Sequence, residues 1–204
     1  MELQVKQFTL SVCTIVLCFC GCSSSTSIDA RKSPLTKTES PKIVPGQEPD
    51  KISQDTILAA KDVLFKKLSE RLMEVMSTQG PVAAIDVCQR EAPQLAIEAS
   101  KSSGVKIGRT GVRLRNPSNI PPSWAVTMIE NKTEVPTFVM LDNGHAAGLL
   151  PIKLQAQCLM CHGPKDQIAP EVNDKLSELY PDDEAVGFQE GELRGWFWVE
   201  LSSI

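Results

Sequence analysis

At 204 residues, with 42% hydrophobic and 23% charged positions, the chain is long enough to bury a core of its own without disulfide support. Its net charge of -4 and its scattered lysines and arginines argue against a duplex nucleic-acid partner, which calls for a basic face.

The first 22 residues stand apart from the rest. Lys6 precedes an apolar run from Phe8 to Cys20, the build of a secretory signal and too short for a bilayer span, which takes about 20 residues. Four of the seven cysteines, Cys13, Cys18, Cys20 and Cys22, lie here. The Gly21–Cys22 pair resembles the lipobox of bacterial lipoproteins, although Phe19 and Cys20 stand where that pattern prefers an aliphatic and a small residue. On this reading Cys22 is acylated and anchors the chain to a membrane on the periplasmic side; Ser23 after it points to the outer membrane. An ordinary cleaved signal with an incidental cysteine is the alternative.

Residues 23–51 are rich in Ser, Thr, Pro and Lys and bury too little to offset their ordering entropy, so they are expected to form a flexible tether. The domain is expected over 52–204. Ile57, Leu64, Leu68, Leu72, Val75 and Met76 recur at three- and four-residue steps, which predicts a long amphipathic helix capped by Ser53 or Asp55 and stopped by Gly80. A second helix opens at Pro81 and ends at Gly104, with Pro93 bending or breaking it. After Gly104 the texture changes. VKIGRTGVRLRNPSN reads as an extended pair, while EVPTFVML, the stretch from Gly148 to Leu154, and GWFWVELSSI read as strands; EVNDKLSELYP reads as a short helix. Helices first and strands later, without regular alternation, predict an α+β domain with an antiparallel sheet.

The segment CLMCHG carries the most chemistry. In C-x-x-C-H the two thiols can add to the vinyl groups of a haem while the adjacent histidine reaches the iron; here these are Cys158, Cys161 and His162. A zinc site would need two more ligands, and a thioredoxin-type redox pair would sit near a βαβ pattern, which is missing. Covalent haem c, one per chain, is therefore the expected cofactor. A second axial ligand has few sources: His145, the only other histidine; Met73, Met76, Met128, Met140 or Met160; and Cys88, the one cysteine left over. A free cysteine is often only a small buried hydrophobe, but thiolate coordination would also protect it and favour the ferric state.

Together, RTGVRLRNPSNIPPSW, PIKLQAQCLMCHG and YPDDEAVGFQEGELRG resemble a family of c-type haem proteins whose members are exported monohaem proteins or sensor portions of bacterial histidine kinases. The resemblance covers about residues 52–204. It implies a PAS-like antiparallel sheet preceded by long helices, with haem between helix and sheet and with histidine and cysteine as axial ligands. The family's cysteine precedes an Ala-Pro pair, as Cys88 precedes Ala92 and Pro93 here. Gly111 departs from the family's usual small polar residue, and GWFWVEL is unusually aromatic. Arg113 and Arg115, with Asn116 beside them, are candidate partners for the haem propionates, since guanidinium pairs bidentately with carboxylate; a solvated strand face is the plain alternative. The functional expectation is a non-enzymatic electron carrier with a redox partner protein, the alternative being a haem-based redox or gas sensor.

Overall fold

The computed structural model describes residues 40–202. The expected signal segment, the acylation site at Cys22 and the tether through residue 39 lie outside the described residues. Among the described residues, no helix is long and apolar enough to cross a membrane.

Helix α1 runs over Lys51–Gln79. Its cap is Asp50, whose Oδ1 accepts a hydrogen bond from the Ser53 amide at 2.7 Å, not Ser53 or Asp55 as the sequence suggested. The helix starts three to five residues earlier than those caps imply, and an aspartate at that position satisfies an otherwise orphan amide. Gly80 ends the helix at φ 86°, a conformation that glycine adopts without Cβ strain.

The second helical stretch is continuous but changes gauge. Helix α2 (Pro81–Asp86) passes into a π-helical turn over Val87–Glu91 and then into α3 (Ala92–Ser103). The Ala92 amide bonds to Val87 O, five residues back. Pro93 accounts for this: it lacks an amide and its ring crowds the carbonyl four residues earlier, so the helix absorbs one extra residue instead of breaking. Cys88 lies on this widened turn. Gly104, at φ 66°, closes α3 in the left-handed conformation.

Four strands follow: β1 (Val105–Gly111), β2 (Thr137–Met140), β3 (Ala146–Lys153) and β4 (Leu193–Leu201). They form one antiparallel sheet in the order β1-β4-β3-β2. This is the α+β architecture expected, with long helices ahead of an antiparallel sheet. The extended pair predicted from Val105 onward is one strand only: from Val112 the chain turns through a proline-rich loop in which the Asn116 side chain accepts from the Ser118 amide at 2.9 Å. The loop leads to a short helix, α4 (Val126–Glu130). Helix α5 (Leu159–His162) is a single turn after β3, and α6 (Pro170–Leu179) is the short helix predicted near the end.

Side chains alternate across the sheet, and each face has its own cover. Val105, Ile107, Leu150, Phe197 and Val199 meet Ile57, Ala60 and Leu64 of α1 and Ala99 of α3. Gly148 lets α1 come close, because a Cβ there would stand 2.6 Å from Ile57 Cγ2. On the opposite face Ala147, Leu149 and Trp196 pack with Trp124 and Ala125 from the turn before α4. Ahead of α1, Ile43 bridges to Leu141, and the Val44 amide bonds to Met140 O at 2.8 Å. Residues within the expected tether thus already line the β2 edge of the sheet.

Candidate functional site

The C-x-x-C-H segment lies directly after β3, and a second piece of chain holds it in place. The Phe188 amide donates to His162 O at 3.0 Å and the Gly187 amide to Gly163 O at 2.8 Å. His162 Nδ1 lies 2.7 Å from Ala185 O. A carbonyl can only accept, so the proton sits on Nδ1 and the lone pair of Nε2 faces outward, the arrangement of an imidazole prepared as a metal ligand. Gly163 is needed because a Cβ would stand 2.6 Å from Leu159 O. Phe188 meets the imidazole edge-on, with centroids 6.5 Å apart.

Arg115, expected to face a carboxylate of the cofactor, is spent inside the protein. It is 8% exposed. Its Nε donates to Asp183 Oδ2 at 2.9 Å, and its Nη2 to the carbonyls of Cys161 and Ala185. Asp183 Oδ1 in turn accepts from the Ala185 amide at 2.8 Å. The residue whose carbonyl orients His162 is therefore held at both its amide and its carbonyl by one buried ion pair. Arg113 lies with its guanidinium 3.9 Å from the Phe188 ring centroid, a cation–π contact.

Cys88 enters from the helical side. Burial pushes its thiol up, while Arg109, Arg115 and Arg194 pull it back. Burial raises Cys161 to about 11, and its further influences include Arg115, Cys88 and Cys158. Burial also holds His162 well below the usual imidazole range, with Arg115 and Arg194 adding repulsion. Arg115, bonded to the Cys161 carbonyl and to the Ala185 carbonyl that holds His162, also acts on Cys88, so Cys88 lies near the C-x-x-C-H segment at one recess. All three cysteines are free thiols and only half-buried. Yet among the described residues no group of three or more His, Cys, Asp or Glu comes together tightly enough to hold a bare metal ion. Two free thiols beside an imidazole whose Nδ1 is already engaged are the donor set of a covalently attached haem, and the residues fit a haem in that respect. The zinc reading finds no support in this geometry.

The remaining candidates for a second axial ligand are elsewhere. His145 sits in the β2–β3 turn, with the whole of β3, Ala146–Lys153, between it and the site; at about 3.3 Å per residue that is roughly 26 Å. Met128 packs on the opposite face of the sheet, Met140 beside α1 and Met76 near Val75, while Met73 and Met160 are exposed.

The Tll0287-like family signature matches residues 44–202. The chain belongs to the Tll0287-like family. Its fold is similar to that of a solved structure, described as the cyanobacterial haem protein Tll0287, with a TM-score of 0.54 and 23% identity over 76% of this chain and 98% of that one. No functionally curated protein matches the sequence. The Tll0287-like domain thus begins ahead of α1, consistent with the Ile43 bridge to the β2 edge.

Sequence reasoning missed three residues of the recess. Arg109 on β1 and Arg194 on β4 reach it from the sheet, and burial lowers both guanidiniums, Arg194 to about 10. Tyr180, 6% exposed, is raised to about 12, chiefly by burial and then by Cys88. It is the only tyrosine, so phenolate absorbance reports on it alone. Its folded value lies above the unfolded value of about 10, so the native state keeps a proton that the unfolded chain has lost. Stability should fall as pH rises from about 10 towards 12. A phenolate midpoint near the free value in the folded protein, or an unchanged alkaline stability profile in Tyr180→Phe, would contradict this.

Proposed function

We propose that this Tll0287-like chain is an exported, lipid-anchored monohaem c-type protein that transfers single electrons to and from a partner protein, without catalysing a reaction of its own. The observation that carries the reading is the protonated His162 Nδ1 on Ala185 O beside two free thiols, with Cys88 close enough to influence Cys161. The bound group would supply a one-electron iron couple, with the potential lowered if a thiolate is an axial ligand. Cys158 and Cys161 would hold the haem through thioethers, each S–H adding across a vinyl C=C, the sulfur to one carbon and the hydrogen to the other, without net oxidation. His162, through Nε2, and Cys88, through its sulfur, would hold the iron. The signal segment and Cys22 would place the domain on the periplasmic side of a membrane, with the outer membrane as the expected site.

In ferric protein matured in an exporting host, we expect a low-spin, thiolate-type absorption and EPR signal. Cys88→Ala should abolish that signal and leave haem content, measured as pyridine haemochrome, intact. An identical signal in the variant, or its lack in the parent, removes Cys88 from the iron.

A second reading, a redox or gas sensor, draws on the π-helical turn that carries Cys88. Such a turn can return to α-helical register, withdrawing the side chain it presents. Carbon monoxide titration of the reduced protein separates the two readings: rapid binding with displacement of Cys88 favours a sensor, inertness a carrier.

A further inference from the structure

The recess has more positive charge than its own residues answer. Arg109, Arg113, Arg115 and Arg194 influence one another or the same neighbours across it. Of these, only Arg115 pairs with a carboxylate within ion-pair distance among the described residues, that of Asp183. Arg113 has the Phe188 ring as its partner at 3.9 Å, a ring that Arg194 reaches only at 5.7 Å. The other two are the unanswered ones. Arg194 donates from Nη1 to Arg113 O at 2.9 Å, yet its Nε is buried without a partner. Gly111 is cleared for it, since a Cβ there would stand 2.5 Å from Arg194 Nη1. Arg109 shares the β1 face of Val105 and Ile107, paired in register with Phe197. Those two residues meet the helices, so Arg109 points into the layer from which Cys88 comes. No carboxylate pairs with it among the described residues. Leaving a cation partly withdrawn from water without a counter-charge is costly; Arg109 and Arg194 are both half-buried, Arg194 with its Nε closed off from any partner, and two such groups at one end of a sheet describe a site built for an anion with two negative arms.

We infer that Arg109 and Arg194, not Arg113 or Arg115, receive the two carboxylates of the bound cofactor, which on the reading above are the haem propionates. This rests on that reading. Both guanidiniums are positioning residues that fix the rotation of the macrocycle relative to His162 and Cys88 and compensate its charge.

The test uses mature wild-type protein and the variants Arg109→Gln, Arg194→Gln, Arg113→Gln and the exposed control Arg90→Gln, each checked for covalent haem by pyridine haemochrome. Wild-type protein without haem overturns the proposed function itself. With haem present, resonance Raman should show a propionate bending band that moves in the Arg109 and Arg194 variants and stays in the Arg113 and Arg90 variants, and midpoint potentials should fall in the first two only. The conservative variants Arg109→Lys and Arg194→Lys should retain part of the potential that the glutamine variants lose. Unmoved bands and potentials at 109 and 194, or the whole effect at 113, overturn the assignment. If the variants do not mature, wild-type protein still decides: a propionate band constant as acid is added through the ordinary carboxylate range of about 4–5 supports the pairing, and one that titrates there refutes it.

Discussion

Replacing Arg115 by methionine should destabilise the domain by about 3–5 kcal/mol, the usual cost of removing one partner of a buried ion pair. The pair is closed to solvent, with the Arg115 and Asp183 side chains only 9% and 10% exposed. Methionine keeps much of the stem volume but strands the Asp183 carboxylate and leaves the Cys161 carbonyl without its donor. The damage should extend beyond stability, because Ala185 O must orient His162 without the second hydrogen bond that Arg115 gives it. Urea unfolding of the single variant and of Arg115→Met/Asp183→Asn measures this. Asparagine still accepts from the Ala185 amide and removes the uncompensated charge, so the double variant should recover part of the loss, giving a coupling energy of order 1 kcal/mol or more. Additive losses would mean that the pair does not act as a unit.

The second large effect lies on the other side of the sheet. Trp196→Ala should cost about 3–5 kcal/mol, since Trp196 is fully buried and its Nε1 donates to Thr133 O at 2.7 Å. The cavity would open among Leu149, Ala147 and Trp124, whereas Cys88 and the helical layer face the opposite side. The unfolding midpoint should drop while the absorption spectrum of the remaining folded protein keeps its shape. A loss below about 1 kcal/mol would show that this face tolerates collapse better than its burial implies; a changed spectrum would show that the two faces are not independent.

What could be read from the sequence was what local chemistry decides. The span of α1, its stop at Gly80 and the end of α3 at Gly104 all follow from spacing and from residues with few conformational alternatives. The cap was misplaced because Asp50, Ser53 and Asp55 all suit that position, and only the Ser53 amide bonding to Asp50 distinguishes them. The stretch after Gly111 was misread as a strand because VRLR alternates like one, while its alternation reflects Arg115 turning inward to Asp183, a partner 68 positions away. Arg109 and Arg194 were invisible for a related reason. Which face a strand residue occupies depends on register, and no local pattern shows that β4 lies between β1 and β3.

That placement of β4 has a consequence for how the molecule is assembled. The strand follows every other described element in sequence, yet it forms the interior of the sheet, and its first residues lie beside the end of β3 that leads into the cysteines. Until β4 inserts, β1 is separated from the β2–β3 hairpin and the thiols of Cys158 and Cys161 lack their backing. If the chain is exported as proposed, threading from its N-terminus would present those thiols before the domain can close over them. Slow closure of this long-range pairing would then favour the proposed haem attachment, and a variant that folds faster should mature less completely.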